Sequence, residues 1–138
     1  PEEVQVYKQK YPKVLFLGRR PQSDLPHNQQ IGDVLVIPNS AIQDIGSRHT
    51  SPLKLFTAMA SGFPVVVSNT TSLLEVADTT NAFVFNADDP ASLCDTILYV
   101  LTHPEDARTR TRTAQKDVIR FDWSNRSVQI IDFIHEHS

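Results

Sequence analysis

The chain has a single cysteine, Cys94, in 138 residues, which excludes a disulfide framework and fits a reducing compartment. Cys94 sits among Leu93, Ile97 and Leu98 and reads as a small buried hydrophobe. Long apolar runs are also lacking. Stretches such as Phe63 to Val67 are far too short to cross a bilayer, and no signal-peptide pattern is visible. There is no basic excess: the formal net charge is -3, and a binder of nucleic-acid backbones usually carries a clear positive surplus. A nucleic-acid partner is therefore not expected. Internal repeats, low-complexity tracts and obvious linkers are missing as well, so residues 1–138 read as one domain. The first residue is Pro1 rather than Met, so the start of the sequence is not taken as the start of the protein. A cytoplasmic location is expected, membrane-peripheral in the full-length protein.

What is present suffices for a core. Hydrophobic residues make up 40% of the chain and charged residues 21%, too apolar for a disordered segment. Four short apolar runs read as strands buried on both faces: about 13–17, 33–37, 64–68 and 82–85. Between and around them lie helical patterns. Glu2 to Lys10 precedes Tyr11-Pro12, which stops a helix. Ser23 to Ile31 is a weak helix. Pro52 to Gly62 is a better one, with Leu53, Phe56, Met59 and Ala60 at helical spacing. Thr71 or Ser72 caps a short helix through Ala77. Asp88-Asp89-Pro90 is a helix-start signature ahead of Leu93, Ile97, Val100 and Leu101. His103-Pro104-Glu105 breaks that helix and starts another to about Ile119. Trp123-Ser124 opens the last, with Val128, Ile131 and Ile134 on one face. Buried strands alternating with helices imply parallel pairing and right-handed crossovers. The expected fold is α/β: a Rossmann-like open parallel sheet of at least four strands in a three-layer sandwich.

Ligands of such sheets bind outside the carboxyl ends of the strands, here Gly18, Pro38-Asn39, Ser68-Asn69 and Asn86. The segment Thr50 to Phe56 carries the most chemistry. Ser51 is placed as N-cap and Pro52 as first helical residue, which leaves the amides of Leu53 and Lys54 free at the positive end of a helix. That end is an anion site, and Lys54 adds a charge-assisted hydrogen bond. The expected groove is lined by Gly18, Asn39, Gly46 and Ser68. An ordinary capped helix with a solvated lysine is the competing reading of the same residues. The histidines His27, His103, His135 and His137 form no metal-ligand constellation. Asp24, Asp33 and Asp44 form no paired-carboxylate motif, and Asp33 reads as punctuation before a strand. Arg108, Arg110 and Arg112 alternate with threonine and read as a solvated face. No metal and no cofactor are expected.

The string SPLKLFTAMASGFPVVVSNTTSLLEV resembles the signature stretch of GT-B glycosyltransferases that use nucleotide-sugar donors. FLGRRPQSDLPHNQQIGDVLVIPNSA, NAFVFNADDPASLCDTILYVL and FDWSNRSVQIIDFI resemble, in order, its upstream and downstream stretches. The likeness runs from about Val14 to Ile134. It implies the C-terminal, donor-binding half of an enzyme of the group 1 or family 4 type, and a retaining transfer of sugar from a nucleoside diphosphate sugar to an acceptor. The donor is a substrate, not a cofactor. The resemblance puts the donor diphosphate on Ser51 and on the amides of Leu53 and Lys54. It puts the ribose and base near Thr57, Gly18 and Asn39. No catalytic residue is assigned.

Two departures follow from the same resemblance. The family's two glutamates of E-x7-E fall at His49 and Thr57, so the ribose anchor is degenerate at Thr57. The strand and loop that supply an Arg and a Lys to the diphosphate would precede this chain, and Arg19, Arg20 and Lys54 are not read as substitutes. The chain is therefore expected to be an N-terminally truncated part of a two-domain enzyme. It would lack its acceptor-binding domain, transfer no sugar alone, and self-associate through an exposed sheet edge with an apolar patch near the first strand. A non-catalytic nucleotide-binding or protein-interaction module is the alternative. A sugar-nucleotide epimerase of the same fold suits the S-P-L-K helix start less well.

Overall fold

The computed structural model describes residues 2–42 and 53–137. Helix α1 (Glu2–Lys10) leads into an extended segment, a 3-10 turn (Gln22–Asp24) and a short α2 (Leu25–Gln29). Then come β1 (Leu35–Ile37), α3 (Leu53–Ala60), β2 (Val65–Ser68), α4 (Thr71–Leu74) and β3 (Phe83–Phe85). The chain ends in α5 (Pro90–Thr102), α6 (Pro104–Val118), a 3-10 turn (Ile119–Phe121) and α7 (Trp123–Glu136). The strands pair in parallel in the order β1-β2-β3, with Val36 opposite Val66 and Val67 opposite Val84.

The central strand explains the rest. Val65, Val66 and Val67 are exposed by 2%, 0% and 0%, as a continuous β-branched run demands when both faces are covered. Val65 and Val67 face Leu55, Met59, Leu73 and Ala114, so α3 and the later part of α6 cover one side. Val66 packs with Phe83, Phe85, Val100 and Ala107, so α5 and the start of α6 cover the other. Helix α6 thus passes from one core to the other beneath the amino ends of the strands. Each of the valine, leucine, methionine and phenylalanine side chains contributes about 1.5–3 kcal/mol by leaving water.

Local signals set the helix boundaries. The Asp89 carboxylate accepts from the amides of Ala91 and Ser92 at 3.0 and 3.1 Å, and Pro90 takes the first helical position of α5. His103 ends α5 and precedes Pro104 of α6. Its ring stacks on Tyr99 at 3.9 Å.

Several sequence readings need correction. Residues 13–17 form no strand, and the described sheet has three strands rather than four. Among the described residues no strand pairs with that run. Val14, Leu15 and Leu17 of this run are exposed. The buried face of α3 is Leu55, Ala58 and Met59, a phase shift from the predicted set: Leu53 and Ala60 point outward. Phe56 stacks on Phe121 at 4.8 Å. The short helix after β2 begins one residue earlier than read, behind Thr70, whose side chain makes no capping bond. Cys94 is exposed, because Leu93 and Val100 set the inward face of α5 and the next position turns about 100° away. Arg110 is not on a solvated face. Its guanidinium lies 4.2 Å from the Phe83 ring centre, donates to the Ala82 carbonyl at 3.0 Å and pairs with Asp106 at 2.9 Å.

Candidate functional site

The carboxyl ends of the strands are tied together by side chains. Asn69 accepts from the Ala87 amide at 2.7 Å, and its own amide donates to the Phe85 carbonyl at 2.9 Å. Asp88 adopts φ +61°, a left-handed conformation that Asp tolerates better than most residues. From there its carboxylate accepts from the Ala41 amide at 2.8 Å, which fixes the chain leaving β1. Bonds from the Ser40 hydroxyl, then the Ala41 amide, hold the Asp88 carboxyl below the usual carboxylate range.

A groove of about 490 Å³ opens at this end, between the segment after residue 16 and the first turns of α3. Gly18, Arg20 and Asn28 line one wall, and Leu53, Lys54 and Thr57 the other. Gly18 takes φ +69°, which a side chain would strain. No acidic side chain lines this groove, and Arg20 and Lys54 have no ion-pair partner among the described residues. The groove is therefore positive, at the amino end of α3, and suited to an anion. The Thr57 hydroxyl is turned onto its own helix, donating to the Lys54 carbonyl at 2.9 Å with Leu53 O at 3.3 Å. Its proton is engaged, and only its oxygen lone pairs face a ligand.

The structure thus gathers Gly18, Leu53, Lys54 and Thr57 into one cavity. Asn39 is elsewhere, in a smaller hollow of about 250 Å³ with Phe85, Asp88 and Leu93. Ser68 does not line the groove: it is buried, and its hydroxyl has no hydrogen-bond partner among the described residues. Ser51 and Gly46 lie outside the described residues, as does His49. Asn28 was passed over at the sequence level, and Arg20 was weighed there and set aside. Their one signal was position, in the loop and short helix that follow Gly18. Among the described residues no group of three metal-ligating side chains exists, and no helix is long and apolar enough to cross a membrane.

The parallel sheet between helices is the fold expected of a GT-B half-domain. The chain belongs to the glycosyl transferases group 1 family, whose model matches residues 1–103. No match to a curated protein sequence was found. Sucrose-phosphate synthase from Thermosynechococcus elongatus has the same fold, with a TM-score of 0.78 and 22% identity over 98% of this chain and 33% of its own. Anabaena HepE, solved in complex with UDP, gives 0.79 and 22% over 98% of this chain and 37% of its own. The C-terminal domain of the group 1 protein LpcC from Francisella tularensis gives 0.69 and 14% over 86% of this chain and 61% of its own. The chain thus spans 33% and 37% of the first two structures it matches.

Proposed function

We propose that residues 1–138 form a nucleotide-sugar-binding domain, the donor-binding part of a retaining glycosyltransferase that moves sugar from a nucleoside diphosphate sugar to an acceptor. The observation that carries this reading is the groove, which unites the Lys54 end of α3 with Gly18 and Arg20 in a chain of this family. The diphosphate would lie against the Leu53 and Lys54 amides, with Ser51 as cap and the two cations beside it. The nucleoside would lie toward Gly18 and Thr57. That HepE was solved with UDP, and separately with UDP-glucose, supports the donor class. The acceptor would be held by a second domain, and no residue of this chain is assigned to the chemical step. Positioning two substrates accounts for a large share of such a rate, so the chain alone should not turn over. The open outer edge of β1 would pair with a second copy.

The test is a UDP titration followed by amide shifts. Saturable shifts clustered at 17–28 and 53–57 are expected, with no turnover of UDP-glucose. Shifts clustered elsewhere overturn the donor site. A non-catalytic nucleotide-binding or protein-interaction module is favoured instead by the Thr57 hydroxyl donating to its own helix and by a groove lining that holds no carboxylate among the described residues. Absence of UDP binding even in a chain that includes the adjoining domain would decide for that reading.

A further inference from the structure

A second cavity, of about 410 Å³, lies at the opposite end of the sheet, beneath the amino ends of β1 and β2. Its volume is within the range of small-molecule sites. It exists because α6 crosses there from one core to the other. Pro64, Val100 and Ala107 give it an apolar floor continuous with the second core cluster. Arg108, Thr111, Arg112 and Gln115 of α6 line it at spacings of three and four, so they share one helix face. Asp33 is also in the lining.

The charges on that face are unbalanced. Arg108 pairs with Glu105 at 2.6 Å, but Arg112 has no acidic partner among the described residues. Two guanidiniums four positions apart repel, and one glutamate compensates only one of them. The Thr111 hydroxyl donates to the Ala107 carbonyl at 2.8 Å and leaves the polar recognition to Arg112 and Gln115. Among the described residues Asp33 forms no ion pair with either arginine.

We propose that this cavity is a binding site, separate from the donor groove, for a small molecule with one anionic head and an apolar body. The head is a carboxylate or a phosphate monoester taken by Arg112 and Gln115, and the body rests on Pro64, Val100 and Ala107. The walls are two packed helices, so the site is largely formed before binding.

The experiment titrates the 138-residue chain with octanoate, octyl phosphate, octanol and inorganic phosphate, read by amide shifts. Octanoate or octyl phosphate should give saturable shifts confined to 62–64 and 100–115. Octanol and inorganic phosphate should each bind at least about tenfold more weakly, the scale of one charge-assisted hydrogen bond for the head. Arg112→Glu should weaken the better ligand by about tenfold or more, and Arg108→Gln less, since Arg108 is already paired. Both positions are exposed, and unchanged amide dispersion in each variant confirms that the fold persists. The proposal is overturned if shifts are non-saturable or fall outside this cavity, if octanol binds as well as the anions, or if Arg112→Glu leaves the affinity unchanged. Shifts at 17–28 and 53–57 alone would assign the anion to the donor groove and overturn it too.

Discussion

The central sheet and the terminal arms use the same kinds of residue to opposite effect. Val65 to Val67 are sealed on both faces, whereas Leu15 is 81% exposed in an equally apolar run. Helix α5 buries Val100 against Phe83 and Phe85, whereas α7 leaves Val128, Ile131 and Phe133 exposed and Trp123 77% exposed. The difference lies in neighbours. An apolar run is stabilised by burial only where another layer meets it, and the arms meet little of the described chain. The largest predicted effect breaks this contrast directly. Leu55→Ala, at a fully buried site, should cost about 2–5 kcal/mol in urea unfolding, while Ile131→Ala should stay within about 0.5 kcal/mol. Comparable losses would mean that α7 belongs to the cooperative core.

The donor groove has one wall in each region. Leu53, Lys54 and Thr57 stand on α3, which is fixed by Leu55 and Met59 in the core, whereas Gly18 and Arg20 stand on the exposed arm. Binding should therefore draw the two together. UDP should raise hydrogen-exchange protection at 17–28 more than in β2, which is already protected. Thr57→Glu should strengthen UDP binding by about 1–3 kcal/mol by restoring a carboxylate to the groove, measured by titration calorimetry. Lys54→Ala should weaken it, with a smaller difference at high salt. If neither variant alters affinity, the groove does not hold the nucleotide and α3 is an ordinary capped helix.

A smaller effect compares two caps of the same chemistry. Asp89 caps α5 through Ala91 and Ser92, and Asp122 caps α7 through the Ser124 amide at 3.1 Å. Asp89→Ala should lower global stability by about 1 kcal/mol. Asp122→Ala should lower helicity of α7, seen as faster amide exchange over 123–136, while the urea midpoint hardly moves. Equal midpoint shifts would again join the arm to the core.

Most helices and three strands were legible because their signals are local or repeat within one element. Asp89-Pro90 marks a helix start by backbone chemistry alone, and the valines of β2 need nothing beyond their own branching. The strand at 13–17 was misread because burial on two faces depends on partners that a linear pattern cannot display. Arg110 was misread for a related reason: its partners are the Phe83 ring and the Ala82 carbonyl, far along the chain. In the site, Lys54 was found through the helix start, Gly18 through the end of an apolar run, and Thr57 only through the family resemblance. Asn39 shares that strand-end logic yet lies in a different hollow, because the run before Gly18 is no strand and does not stand beside β1 in the sheet.

The smallest predicted effect concerns acid. Asp78 accepts from the Thr80 hydroxyl at 2.6 Å and the Thr80 amide at 2.7 Å, which together hold its carboxyl below the ordinary value of 3.8. The side chain is solvated, so the contribution is modest. Its sign is definite. A carboxyl with a depressed folded pKa stabilises the fold above its unfolded value and loses that contribution as pH falls through the folded one. The loss should therefore begin near pH 3.8 and continue below it. This turn belongs to the core: the neighbouring Asn81 is buried and donates to Asp117 of α6 at 3.0 Å. Protonation of Asp78 should then lower the global midpoint. The measurement is urea unfolding from pH 6 to 2.5 for Asp78→Asn beside the parent chain. Asp78→Asn should be less stable at pH 6 and should lose less below pH 4. If its curve stays parallel to that of the parent, Asp78 is not anchored by Thr80 in solution.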